Sequence, residues 1–136
     1  MPEIQPVGSH DTWFEEPELI GLRLKGDVSL EESAALAAVH TEMARGRKAV
    51  YMLVDMTEFG SGTPAGRKVT SETLTRMPVR GIAVCRAKLT SKVMAKLVFA
   101  GVRLFRKDVK FEIEFFDHEA AAREWIEERR SAAAAA

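Results

Sequence analysis

Apolar and polar positions change period several times along this chain, and each change marks an element. Residues 1–11 carry Pro2, Pro6 and Gly8, show no period and read as an arm. Trp13 and Phe14 open a short strand that Glu16-Pro17 stops. From Leu19 to Lys25 the chain alternates, Ile20, Leu22 and Leu24 pointing one way and Arg23 and Lys25 the other, which is the two-residue period of a strand. The short link through Pro17 predicts an antiparallel pair. Ser29 and Glu32 have the spacing of a capping box, in which each side chain bonds the other's backbone amide. The helix they start repeats Leu36, Val39 and Met43 on one face, with Gly46 placed as its C-terminal cap.

Val50–Val54 is a short continuous apolar run ending in Asp55, as expected of a central strand covered on both faces. Gly60-Ser61-Gly62-Thr63-Pro64 reads as a loop into a polar second helix, with Thr63 as cap and Pro64 at its first position. Pro78 ends that helix near Met77, and Ile82–Cys85 is another buried strand. Thr90 is placed to cap a third helix, with Leu89 and Met94 as a hydrophobic staple, running to about Phe105. Phe111, Ile113 and Phe115 alternate with Glu112 and Glu114, a half-exposed or edge strand. Asp117 caps the last helix, whose inner face holds Ala122, Trp125 and Ile126. The order ββαβαβαβα predicts a single α/β domain over residues 12–131, a mixed, mostly parallel sheet of four to five strands with helices packed around it. Residues 132–136 form an alanine tail.

Composition changes this picture in three ways. The 136 residues suffice for one core. The formal net charge is zero, which removes any general pull toward nucleic acid, yet the charge is segregated. Nine acidic residues stand against Arg23 and Lys25 up to Ala44, and fifteen basic residues stand against four acidic ones from Arg45 to Lys110. A single cysteine, Cys85, rules out an intrachain disulfide. The start has no basic region followed by an apolar one, and no apolar stretch reaches the roughly 20 residues of a membrane span. A cytoplasmic protein is expected, at most peripheral to a membrane.

Several features then converge: Gly26, Ser29, Glu31 and Glu32 as G-x-x-S-x-E-E, Leu53-Val54-Asp55, Ile82-Ala83-Val84, Phe116-Asp117, Ala120–Ala122 and Trp125-Ile126. In this order and spacing, from about Leu19 to Arg129, they resemble the SpoIIAA-like branch of the STAS superfamily, which is itself similar to CRAL-TRIO lipid-binding folds. The resemblance implies a mixed sheet wrapped by helices and no enzymatic activity. Phosphorylated STAS regulators carry an Asp-Ser pair where the loop meets the second helix. Here that place reads Gly60-Ser61-Gly62-Thr63, so the resemblance does not extend to a phosphorylation switch. For the SpoIIAA-like branch it implies a mobile helical lid, a hydrophobic cavity and membrane contact.

The residues themselves narrow the chemistry. Gly60 to Gly66 followed by Arg67-Lys68 misses the P-loop pattern, in which the second glycine precedes lysine directly. His10, His40 and His118 have no histidine or cysteine at metal-ligand spacing. Cys85 lies near Arg86 and Lys88 but no base is in view to activate it, so packing is expected of it. Asp55 ends a strand where α/β sheets often hold ligands, and Asp55, Ser61, Thr63 and Arg67 form a candidate loop site.

The most distinctive stretch is Arg86–Lys107, basic throughout and more apolar than one core-facing stripe requires. Leu97, Val98, Phe99, Val102 and Phe105 are the candidate ligand or lid residues. Lys88, Lys92, Lys96, Arg103, Arg106 and Lys107 are the candidate contacts for anionic headgroups. The expected function is a non-enzymatic module that binds an apolar or lipid-like small molecule, a membrane surface, or both, without a cofactor or metal. The alternative is a protein-interaction regulator of the anti-sigma-antagonist type, acting on a protein partner or as a homodimer.

Overall fold

In the computed structural model, which describes residues 2–105 and 112–135, six strands lie side by side in chain order. They are β1 (Gln5–Val7), β2 (His10–Glu15), β3 (Leu19–Val28), β4 (Val50–Gly62), β5 (Val79–Cys85) and β6 (Glu112–Phe116). The first three pair antiparallel, and β3 through β6 pair parallel. Helices α1 (Leu30–Ala44), α2 (Pro64–Arg76) and α3 (Leu89–Phe105) carry the three parallel crossovers, and α4 (Glu119–Ala135) follows β6.

This order decides where the helices go. A crossover between parallel strands is almost always right-handed, so a chain that keeps stepping the same way lays every crossover helix on one face. Accordingly Ile20, Leu22, Met52, Val54, Ile82 and Val84 point toward α1, α2 and α3 in one apolar cluster. The alternate residues Tyr51, Leu53, Ala83 and Cys85 meet Ala122, Trp125 and Ile126 of α4 on the other face. Val50–Val54 and Ile82–Cys85 are buried at the sheet centre, as their continuous apolar character predicts.

Local signals account for most boundaries. The capping box forms as read: Ser29 Oγ accepts from the Glu32 amide at 3.1 Å, and the Ser29 amide donates to Glu32 Oε1 at 2.9 Å. Gly46, just past the end of α1, takes the left-handed φ of +74°. Thr63 Oγ1 accepts from the Gly66 amide at 2.9 Å, and Pro64 opens α2.

The structure departs from the sequence expectation in four places. The strands number six, not four to five, because residues 5–7 of the expected arm pair with His10–Thr12. β4 runs on to Gly62 through a register shift and keeps pairing with the end of β3, so Gly60–Gly62 belongs to a strand. α3 begins at Leu89, with the Lys92 amide donating to the Lys88 carbonyl at 2.9 Å, so Thr90 lies inside it. Leu89 stays exposed and makes no staple with Met94. The last helix begins at Glu119, and its Ala122 amide bonds the His118 carbonyl, so the expected Asp117 cap sits one residue too early.

Candidate functional site

The helices on the crossover side do not close onto the sheet. They leave a cavity of about 190 Å³, floored by Leu22, Met52, Val54, Ile82 and Val84. Its walls are Leu36 and His40 of α1, Leu74 of α2, and Met94, Ala95, Val98 and Phe99 of α3. An apolar cavity of ~150 Å³ can stay dry and admit a benzene ring, so this space suits one small ring or a short acyl chain.

A polar helix can line such a space because its hydroxyls are already occupied. Thr70, Thr73 and Thr75 of α2 donate to the carbonyls of Gly66, Val69 and Ser71, at 3.1, 2.8 and 2.7 Å. Internal bonds of this kind remove the cost of placing a hydroxyl beside apolar surface. The same helix supports α3, since Ser71 Oγ donates to the Val98 carbonyl at 3.1 Å close to Gly101.

His40 is buried and structural. The Thr12 hydroxyl donates to the Gly21 carbonyl and so accepts from His40 Nε2–H at 3.0 Å. Burial depresses the His40 pKa to about 4. His10 is also buried: its Nδ1 accepts the Lys25 amide at 3.0 Å, and its Nε2 lies 3.4 Å from Glu32 Oε1 without forming a hydrogen bond. Cys85 is buried in the α4 cluster, and burial with nearby Asp55 pushes its thiol up to about 11, the opposite of an activated nucleophile. Among the described residues no cluster of three or more His, Cys, Asp or Glu could hold a metal.

The candidate loop site divides. Asp55 turns away from the cavity: its Oδ1 accepts the Thr57 amide and hydroxyl at 2.9 and 2.6 Å, and its Oδ2 meets Arg23 Nε at 3.4 Å. Ser61 is held from β3, where Asp27 Oδ1 accepts its amide at 2.9 Å and its hydroxyl at 3.1 Å. A side chain at Gly60 would run into that carboxylate. An aspartate thus reaches the serine through space, although none precedes it in sequence. Thr63 and Arg67 do line the cavity, at its exposed end. The start of α2 makes a poor phosphate cradle, because Pro64 has no amide hydrogen and the Gly66 amide is already bound by Thr63.

The candidate lid residues also divide. Val98 and Phe99 line the cavity, and Val102 is buried in the same cluster without lining it. Leu97 points outward instead. Leu89, Val93, Leu97 and Leu104 are 78%, 52%, 58% and 68% exposed, and with exposed Ala100 they recur every three to four residues on the face turned from the core. Lys88, Lys96 and Arg103 are exposed, while Lys92 is half-buried with its Nζ 5.8 Å from the centre of the Phe115 ring. None of these four cations forms an ion pair among the described residues. Arg106, Lys107 and the Phe105 side chain lie outside the described residues.

Ser33 is a wall residue that sequence reading missed, whereas His40, read as a structural residue bordering the buried face of α1, was not placed at a cavity. Their signal was present: Ser33, Leu36, His40 and Ala44 are spaced three and four apart, and all four are buried.

Comparison with known proteins agrees with this architecture. The family model for SpoIIAA-like proteins matches residues 19–127. Among solved structures, an uncharacterised protein of the DUF3478 family with a SpoIIAA-like fold, from Shewanella loihica PV-4, superposes with a TM-score of 0.62 at 12% identity, over 92% of this chain and 91% of that one. The anti-sigma factor antagonist SpoIIAA in its unphosphorylated form gives a TM-score of 0.56 at 8% identity, over 93% and 98%. No curated protein sequence matches the chain.

Proposed function

The chain belongs to the SpoIIAA-like family, and from that premise we propose that it is a binding module, not an enzyme, which takes a small apolar or lipid-like molecule beneath α3 and presents the outer side of α3 to an anionic membrane surface. The observation that carries this reading is that α3 is apolar on two opposite sides. Val98 and Phe99 roof the cavity, while Leu89, Val93, Leu97 and Leu104 face water. A helix held for packing alone needs one apolar stripe. The cations favour a lipid surface as the outer partner: Lys92, Lys96 and Arg103 stand on a helix with no acidic residue. Each basic residue near an anionic surface contributes roughly 1 kcal/mol, and salt weakens it. No described helix is long and apolar enough to cross a membrane, so the contact is peripheral.

Vesicle flotation tests the reading. The wild-type protein should float with phosphatidylserine-containing vesicles and not with pure phosphatidylcholine. Leu97→Asp, and separately Lys96→Glu with Arg103→Glu, should abolish flotation while leaving the unfolding midpoint near wild type, as exposed positions do. Equal binding to both vesicle types, or to neither, sinks the membrane half.

A protein-partner reading has support of its own in the likeness to an anti-sigma factor antagonist. The exposed Ser61 and Thr63 before α2 would be its docking surface. A phosphoryl group on Ser61 would sit against the Asp27 carboxylate, so this docking would work without a phosphate switch.

A further inference from the structure

Resting on the cavity reading above, we propose that the bound molecule is a short acyl acid whose single carboxylate sits at the Thr63 end of the cavity, held by Arg67 and the hydroxyls of Ser33 and Thr63. The argument starts from an unused donor. Ser33 is only 7% exposed, lies in the cavity wall, and its hydroxyl makes no hydrogen bond among the described residues. A wall hydroxyl with no protein partner is available to a molecule that enters the cavity. Most other polar groups in the wall are spoken for, the threonines of α2 by their own helix.

Ser33 is not isolated. A Cβ placed on Gly66 would lie 2.7 Å from Ser33 Oγ and 3.0 Å from Thr63 Oγ1, so both hydroxyls converge beside one bare glycine. Thr63 uses its oxygen to accept the Gly66 amide, which leaves its own hydrogen to donate. Arg67 follows directly. Among the described residues it is the one charged side chain in the wall; it makes a single long bond, Nη1 to the Gly62 carbonyl at 3.4 Å, and has no carboxylate partner. A guanidinium presents five N–H donors in a fork that matches a carboxylate.

This end of the cavity therefore offers donors and one positive charge, and no carboxylate that an amine could pair with. The rest is apolar. A molecule complementary to both is an amphiphile with an anionic oxygen head. One unpaired cation matches one negative charge, which favours a carboxylate over a doubly charged phosphate. The volume of about 190 Å³ limits the tail to a short chain.

Isothermal titration calorimetry with octanoate, octanol, octylamine and octyl phosphate tests this on the full chain. Octanoate should bind about tenfold or more tightly than octanol or octylamine, the worth of a charge-assisted hydrogen bond. Arg67→Met should erase that preference, weakening octanoate at least tenfold more than octanol, and Arg67→Lys should keep part of it. Ser33→Ala should weaken octanoate several-fold, and more than it weakens octanol. Denaturant unfolding of each variant separates loss of the site from loss of the fold. Octanol binding as tightly as octanoate, or the preference surviving in Arg67→Met, overturns the carboxylate assignment and leaves the apolar cavity standing. Tighter binding of octyl phosphate than of octanoate overturns the choice of carboxylate. Failure of all four molecules to bind overturns the cavity reading along with it.

Discussion

Helices α3 and α4 have the same length, 17 residues each, and lie on opposite faces of one sheet, yet the more apolar of the two is the less firmly held. α4 spends its charges on partners. Arg123 reaches Glu15 of β2 with two bonds of 2.9 and 2.8 Å, Arg130 meets Glu18 at 3.0 Å, and Arg129 meets Glu112 of β6 at 2.8 Å. Trp125 lies over Gly81, where a Cβ would come within 3.2 Å of the indole, and stacks at a tilt 5.9 Å from Phe116. α3 instead leans on α2, stands above a cavity, and sends Lys96 and Arg103 into solvent without ion-pair partners among the described residues. Hydrophobicity supplies driving force without direction, whereas matched ion pairs fix where a helix sits. The clamped helix completes the fold, and the loosely held one is free to meet a ligand or surface.

The largest effect should come from breaking the clamped side. Trp125→Ala should cost about 3–5 kcal/mol of unfolding free energy, read by chemical denaturation. A loss under 1 kcal/mol would mean that α4 is no better seated than α3.

The cavity face should answer to acid. His40 is held neutral by burial with a pKa of about 4, below its unfolded value. A depressed folded pKa in a base means that the unfolded chain takes up the proton first. Stability is therefore full above pH 6.5 and falls as pH drops toward 4, by roughly 2–4 kcal/mol. Unfolding curves across this range should show the slope, and His40→Gln should flatten it. Glu15, whose carboxyl is held below its usual range by the Arg123 guanidinium, adds a further loss at lower pH as it becomes protonated.

Arg123→Met should cost about 1–3 kcal/mol, because it strands the half-buried Glu15 that it holds. At the small end, Leu97→Ala and Lys96→Ala should each stay within about 0.5 kcal/mol of wild type, as exposed positions do. A larger change at either would place the outer side of α3 in a packed environment and remove the contrast.

Much of this was legible in the sequence. The continuous apolar runs of β4 and β5 could only be central strands, and the spacing of Ser29 with Glu32 and of Thr63 with Pro64 fixed two helix starts. β1 was not legible, since Gln5 and Pro6 are exposed at a sheet edge and show no alternation. The end of β4 was hidden because glycine and serine signal a turn, whereas here the extension of β3 supplies the pairing and Asp27 the bond. The basic apolar character of α3 was plain, but which residues faced the cavity was not. Leu97 and Val98 are neighbours in sequence and point to opposite sides. The polar end of the cavity was invisible, because it joins Ser33 of α1 to Thr63 and Arg67 at the start of α2, and only their packing brings them together.

The chain-order arrangement of the strands bears on how the protein is made. Each strand emerging from the ribosome can add to the growing edge of a sheet already present, with its crossover helix falling on the same side. The opposite side gains its cover from α4, which follows every strand it shields. Until α4 has left the ribosome and docked, Tyr51, Leu53 and Ala83 form a bare apolar floor on the nascent chain. Apolar surface left bare in this way is open to aggregation for as long as the interval lasts.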